Sequence, residues 1–469
     1  AQCLVGSEMC IRDRLYMSYA VKNSEGAALM PSYIIRSMRK MFSHCLKLSY
    51  KDTAQQNSYV TIPRAANSFD NTEIAANVDE DIIDSLTGGR LVGSVTSFEN
   101  FAECPLRYYL RYGVDLKERE EFTFSPVNFG VVLHAVIREV CDEIKKNGES
   151  YYLISEEKRR EMVKRSVAAI TDIYQNSILK DSSRNSFMIK RMEDLADRTV
   201  WAMGEQLKCG DFVPFVFEHK FNMEVGDGDR KQLMSGTIDR VDICENGTDV
   251  YVRIIDYKTG KKDFNIVKTY YGIDIQLMVY MEAAMKLVAK MRPGKNVIPA
   301  GVFYYNISDP IVSATTESAE EIEDKIKGEL RLKGMVNSDK DIAEKMDNTE
   351  GTSLNIPVSR KADGGFDSRR SKVMNTEQFN ILGRFVDVRA IDTADRIAGG
   401  DIRRSPYKDG QFSSCDRCPY GAVCGFSVDL PGCNYRKLKK FDDEVLWNNI
   451  KEGVDENGKK MDTGAEERD

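Results

Sequence analysis

The stretch that decides the reading is GTIDRVDICENGTDVYVRIIDYKTG, residues 236–260. Two runs rich in Val, Ile and Tyr flank Asn246-Gly247, and Asn-Gly is the strongest short hairpin signal because both residues accept a positive φ. With that two-residue turn, Glu245 faces Thr248 and Asp239 falls opposite Ile254. A four-residue loop from Asn246 to Asp249 instead sets Asp239 directly opposite Asp256. In either register Asp239, Ile254, Asp256 and Lys258 share a face, because side chains two apart on a strand point the same way. The shared face is apolar at the turn end (Val241, Ile243, Val250, Val252) and ionic at the other.

That geometry suits chemistry. Carboxylates about 5–8 Å apart across a strand pair repel unless a cation lies between them. Oxygen donors without a dedicated all-protein cage favour Mg²⁺ or Mn²⁺. Lys258 can then hold an attacking water or neutralise charge on a phosphorane-like transition state. A surface hairpin carrying Asp and Lys for solubility explains the spacing equally well, so D-x-K alone leaves both readings open.

Outward from the hairpin, Phe129, Val132, Leu133, Val136, Ile137, Val140 and Ile144 form one stripe of a helix that starts near Gly130. His134 sits roughly a third of a turn from the centre of that stripe, at about 100° per residue, which makes it a border residue. On the other side, Gln276 and Tyr280 are four apart on a second apolar helix and share a face. By themselves these residues read equally well as ordinary helix borders.

Composition sets the bounds. The chain has 469 residues, 42% hydrophobic and 30% charged, as in soluble globular proteins, so disordered and collagen-like readings fall. No apolar run approaches the roughly 18 residues of a membrane helix, and no secretory signal opens the chain. Eleven cysteines are too sparse for a disulfide scaffold and odd in number; a cytoplasmic protein with a clustered metal or redox site is expected. Net charge is −7, so any nucleic-acid contact must come from local basic patches. Lys158-Arg159-Arg160 and Arg369-Arg370 are candidates, although a solvated helix face accounts for the first. Tyr108, Tyr109 and Tyr112 could stack on bases, but core positions explain them as well.

Taken together, GVVLH (Gly130 to His134), GTIDRVD (Gly236 to Asp242), IIDYKTG (Ile254 to Gly260) and QLMVY (Gln276 to Tyr280) resemble, in order, the motifs of the RecB-type branch of the PD-(D/E)XK nucleases. The resemblance implies an α/β fold with a mixed central sheet flanked by helices. It implies His134, Asp239 and Asp256 as metal ligands, Lys258 as catalytic, and Gln276 and Tyr280 as orienting groups. Glu218, in VFEHKF, matches a recurring acidic position.

FSSCDRCPYGAVCGF contains Cys415, Cys418 and Cys424 in a C-x2-C-x5-C cluster, which points to a metal site; Cys433 could close a four-thiolate zinc site. SFENFAECPLRYYLRYG, residues 97–113, resembles the segment that supplies the first [4Fe–4S] ligand in the AddB family of helicase-nuclease subunits. That resemblance implies a [4Fe–4S] cluster on Cys104, Cys415, Cys418 and Cys424, acting as a staple, with Cys433 outside it.

The expected organisation is a non-native AQCLVGSEMCIRDR at 1–14, a helicase-like remnant at 15–50 (the strand LYMSYA, then a helix from Pro31-Ser32), a polar linker at 51–93, the nuclease domain at 94–440 and a polar tail at 441–469. An irregular native start is the alternative for 1–14. The segment 316–350 reads as a charged helical stretch, either a solvated face or an insertion. GVDENGKK, Gly453 to Lys460, mimics a phosphate loop, but Lys460 stands where Ser or Thr is needed and no strand precedes it. The family implies Mg²⁺-dependent degradation of the 5′-terminated DNA strand during double-strand break processing, with the AddA subunit and unwound DNA as partners, ATP binding elsewhere in the parent subunit, and no membrane. Two rivals are a standalone CRISPR-associated iron–sulfur exonuclease and a non-catalytic DNA-binding module with a degenerate nuclease fold.

Overall fold

The computed structural model describes residues 77–79, 82–83, 92–117, 126–173, 183–225, 232–313, 318–428 and 433–466. The expected non-native start, the 15–50 strand and helix, and most of the 51–93 linker lie outside the described residues.

In chain order, β1 (Val92–Ser94) leads into α1 (Val95–Glu103), and α2 (Pro105–Tyr108) continues into one π-helical turn at Tyr109–Gly113. Three long helices follow: α3 (Pro126–Lys146), α4 (Glu156–Ile173) and α5 (Ser183–Lys208). The strands β2 (Val213–Val225), β3 (Gln232–Asn246) and β4 (Asp249–Lys258) form a meander; α6 (Ile266–Tyr270) and α7 (Gln276–Met291) then return the chain to β5 (Asn296–Asn306). Next come α8 (Ala319–Glu329), β6 (Lys333–Asn337), α9 (Lys340–Met346), β7 (Val373–Met374) and α10 (Thr376–Ala398). A small sheet of β8 (Tyr407–Asp409), β9 (Phe412–Ser413) and β10 (Arg436–Lys437) surrounds α11 (Gly421–Cys424), and α12 (Asp443–Glu466) ends the described chain.

The main sheet is mixed. Its order is β1-β3-β4-β5-β6-β7, with β2 on the free edge of β3. Strand β4 runs antiparallel to β3 and parallel to β5, and β1 lies parallel to the first residues of β3. Helices cover both faces, which is why β4 is apolar in both directions. Tyr251, Ile255 and Tyr257 pack with α3, α4 and α5, whereas Val250, Val252 and Ile254 pack with α1, α7, α10 and α12. The solubility-hairpin alternative therefore fails: β4 is a central strand.

The turn differs from the Asn246-Gly247 expectation. Asn246 pairs with Asp249, so Gly247 and Thr248 occupy the turn, with a positive φ of 61° at Gly247. Glycine at the first central position is the type II′ preference, and this choice gives the register that aims Asp239 at Asp256. The segment 316–350 also divides. Helix α8 is solvated, with Ser318 closing a capping box, whereas β6 joins the sheet beside β5 and α9 buries Ile342 and Met346. The polar segment after 440 begins as α12, whose Leu446 and Ile450, four apart, are buried in the core against α10. Gly453 to Lys460 falls within that helix, with no phosphate-loop turn.

Among the described residues, no helix is long and apolar enough to cross a membrane.

Candidate active site

The β3–β4 ladder ends at the pair Arg240–Ile255. Beyond it the carboxylate of Asp239 takes the place of a ladder carbonyl: its Oδ2 accepts the Tyr257 amide at 2.6 Å. This frees the ends of both strands to carry polar groups, and His134 reaches them from α3. Its Nδ1 lies 3.4 Å from Asp239 Oδ1 and 3.9 Å from Glu218 Oε1. As the helical periodicity indicated, His134 is a border residue, with its side chain 24% exposed.

Glu218 carries more than its sequence pattern showed. It is a mid-strand residue of β2, yet its φ is +48°, in the left-handed region that a non-glycine residue rarely enters. A conformation that costs of order 1–3 kcal/mol is kept only where surroundings over-determine it, and such residues gather at functional sites. Here it points the carboxylate at His134 and Asp239. Donor atoms of His134, Glu218 and Asp239 all lie within 4.8 Å of one another, the only such group among the described residues. Burial and the Asp239 charge raise the Glu218 pKa. Burial opposes protonation of His134, but the hydrogen bond and charge of Asp239 outweigh it, and the imidazole pKa rises. One imidazole nitrogen among carboxylate oxygens is a donor set that suits Mg²⁺ or Mn²⁺.

Asp256 belongs to the adjoining half of the site. It is 2% exposed, and burial together with the Asp239 charge pushes its pKa up to about 6. Lys258 Nζ forms an ion pair with Asp256 Oδ2 at 2.5 Å and donates to Gln276 Oε1 at 3.0 Å. Gln276 Nε2 donates to Asp256 Oδ1 at 3.1 Å and to Tyr280 Oη at 2.9 Å. Gln276 thus holds acid, lysine and tyrosine in one arrangement. Of the two expected orienting residues, Gln276 meets the lysine itself and Tyr280 meets Gln276.

Behind this network stand residues that no motif singled out. Tyr304 donates to Asp274 at 2.6 Å, Lys262 pairs with Asp274 at 3.0 Å, and Lys262 also sits 4.4 Å over the Tyr304 ring. Gly236 lies against the site because a Cβ there would come within 2.7 Å of the Phe221 ring and 3.0 Å of Tyr280. Asp242, the last residue of GTIDRVD, plays a structural part. It is fully buried and receives Arg240 at 2.7 and 2.6 Å and Arg253 at 2.9 Å. Burial opposes its ionisation, but the two guanidiniums win and hold its pKa below the usual range.

The stretch that carries these hairpin acids, lysine and helix-borne histidine, residues 93–425, matches the PD-(D/E)XK nuclease superfamily. The chain belongs to that superfamily. It is also similar to curated proteins named as the B subunit of an ATP-dependent helicase/deoxyribonuclease. That of Caldanaerobacter subterraneus subsp. tengcongensis is 31% identical, over 97% of this chain and 44% of the relative. That of Clostridium acetobutylicum is 30% identical over 95% and 44%, and that of Lachnoclostridium phytofermentans is 34% identical over 83% and 34%. The chain spans less than half the length of these relatives.

Within this PD-(D/E)XK domain the cysteines form a second centre. Cys104, Cys415, Cys418 and Cys424 line a single, mostly apolar cavity with Pro406, Tyr420 and Phe426, and Cys433 is buried elsewhere. Chain segments some 310 residues apart meet there. Burial raises the Cys104 thiol pKa, while the amides of Arg107, Ser405 and Leu106 donate to its sulfur and lower it in part; the Phe426 amide does the same for Cys424. Among the described residues, the cysteine sulfurs do not gather within 4.8 Å of one another in threes. A tetrahedral zinc with Zn–S of about 2.3 Å would need sulfurs about 3.8 Å apart.

The basic triplet is neutralised. Lys158 pairs with Glu149, Arg159 with Asp197, and Arg160 with Glu156. Arg369 and Arg370 are exposed. Tyr108 is buried edge-on against Phe101, as the core reading has it, and Tyr112 is on the surface.

Proposed function

We propose that this chain carries a divalent-cation-dependent deoxyribonuclease site, as part of the AddB-type component of a helicase-nuclease working on unwound DNA in the cytoplasm. The observation that carries this reading is the contiguity of the two half-sites: the donor group His134, Glu218 and Asp239 beside the network of Asp256, Lys258, Gln276 and Tyr280. His134, Glu218, Asp239 and the adjoining Asp256 would hold the cation, which supplies Lewis-acid activation of water and charge neutralisation at the scissile phosphate. Lys258, fixed by Gln276, presents its ammonium to the attacking water or to charge developing on phosphorus. Asp239 keeps His134 oriented through its Nδ1 contact. The non-catalytic rival requires broken ligands, whereas all these groups are present and mutually placed. The relatives' names favour a helicase-nuclease subunit over a standalone exonuclease.

The further assignments within this reading are the 5′-terminated strand as substrate, an AddA subunit as partner, and a [4Fe–4S] staple on Cys104, Cys415, Cys418 and Cys424. The test is Mg²⁺-dependent digestion of single-stranded DNA by wild type and Asp256→Ala. Loss of digestion in the variant is expected, and equal activity would overturn the assignment.

A further inference from the structure

Helix α7, which carries Gln276 and Tyr280, begins without a cap of its own. Its N-cap residue is Ile275, whose side chain can accept no hydrogen bond. The first amides of a helix have no partner within it, and leaving them buried and unpaired is costly. Ile275 and Gln276 are 2% and 8% exposed, so solvent does little for them. The missing acceptor comes from a segment 176 residues earlier: Glu99 Oε1 accepts the Ile275 amide at 2.9 Å and the Gln276 amide at 3.0 Å.

Glu99 is held for this task. It lies on α1, which buries Val95, Phe98, Phe101 and Ala102. Ala102 also packs 3.4 Å from where a Cβ of Gly272 would stand, so α1 touches the loop leading into α7 a second time. Five residues beyond Glu99, the same helix ends on Cys104. Strand β1 sets the other end of α1, lying parallel to β3 along the line that β4 leaves.

We propose that Glu99 is a positioning residue of the nuclease site. It acts through Gln276 on Lys258. A carboxylate that fixes the first turn of α7 fixes the Gln276 backbone, and so positions the side-chain carboxamide that holds Lys258 Nζ at 3.0 Å and Asp256 Oδ1 at 3.1 Å. Burial, the first of several influences, raises the Glu99 pKa to about 7. Lys262 and the Gln276 amide pull the other way, consistent with an acceptor committed to donors.

This inference rests on the nuclease reading, and its test separates the two. In the cluster-loaded full-length subunit with its partner, Glu99→Ala, Glu99→Gln, Gln276→Ala and the double variant Glu99→Ala/Gln276→Ala are compared in single-stranded DNA cleavage. Amide hydrogen exchange at Ile275 and Gln276 is followed in parallel. Glu99→Ala is expected to lower kcat about 10–100-fold, the usual effect of losing an orienting partner, with KM little changed. Glu99→Gln keeps an acceptor oxygen and should restore most of the rate. The Ala change should add nothing once Gln276 is gone, and the two amides should exchange faster in Glu99→Ala. Iron and sulfide content at the wild-type level controls for folding; if Glu99→Ala fails that control, Glu99→Met fills the same volume without an acceptor and replaces it. Additive losses, a Gln variant as poor as the Ala variant, or unchanged exchange would refute the role of Glu99. A wild type that leaves DNA uncut would refute the nuclease reading and the proposal with it.

Discussion

Glu218 offers a test in which stability and function move in opposite directions. At an ordinary strand position glycine is less stable than alanine by roughly 0.5–1 kcal/mol, because it loses more backbone freedom on folding. At Glu218 the φ of +48° reverses the balance. An L-residue in the left-handed region costs roughly 1–2 kcal/mol, a cost that glycine escapes. The net expectation is that Glu218→Gly is more stable than Glu218→Ala by up to about 1.5 kcal/mol. Both variants also lose a carboxylate that burial and Asp239 hold above its ordinary pKa, so neither should fall far below wild type in the absence of divalent cation. Equilibrium urea unfolding in chelator measures this directly. Mg²⁺ or Mn²⁺ affinity, followed by calorimetry, should fall about tenfold or more in both. If Glu218→Ala proves the more stable by about 0.5 kcal/mol or more, the left-handed strain is not what the site maintains. If either variant binds the cation as wild type does, the carboxylate is not a ligand.

Three further outcomes follow from the geometry. Iron and sulfide should be lost in Cys104→Ser and retained in Cys433→Ser; the reverse would move the fourth ligand. Gly236→Ala places a methyl 2.7 Å from the Phe221 ring and 3.0 Å from Tyr280, so it should cost about 1–3 kcal/mol and displace Tyr280. A variant with wild-type unfolding midpoint and cleavage rate would show that the close approach has no role. Asp387, on α10, is half-buried against Glu282 of α7, and desolvation, then Glu282, pushes its pKa up to about 8 from an ordinary 3.8. Between those values the folded state holds the extra proton, so stability is lost as pH rises through that window and levels off above it. Melting temperatures of Asp387→Asn should fall less between about pH 5 and 8.5 than those of wild type, and parallel curves would remove Asp387 as the cause.

Several parts of the site could be read without coordinates because they depend on local periodicity. The strand period places Asp239, Asp256 and Lys258 on one face in either register, and the one observed, with Arg240 paired to Ile255, is the register that sets Asp239 opposite Asp256. The helical period puts His134 at a border and Gln276 beside Tyr280. What escaped has long-range causes. Nothing local marks Glu99 as the cap of a helix that begins 176 residues later. Nothing in VFEHKF announces a left-handed backbone at Glu218. The α12 helix was hidden for another reason: two buried residues, Leu446 and Ile450, suffice to dock a segment that is otherwise polar.

The charges explain why the site divides as it does. On the α7 side Asp256 and Asp274 each have an ammonium, Lys258 at 2.5 Å from Asp256 and Lys262 at 3.0 Å from Asp274. On the α3 side Asp239 and Glu218 have His134 between them, a group whose charge depends on protonation. Two carboxylates against one imidazole leave negative charge in a partly desolvated pocket, and the raised pKa of both Glu218 and His134 follows from it. A cation is therefore favoured beside His134 and disfavoured beside Lys258, where it would meet a like charge. Asp239 and Asp256 stand at the junction, close enough for the charge of one to raise the pKa of the other. The arrangement sets the Lys258 ammonium on one side of that acid pair and the residues that would hold a cation on the other, and both positive charges would attract an anionic phosphate.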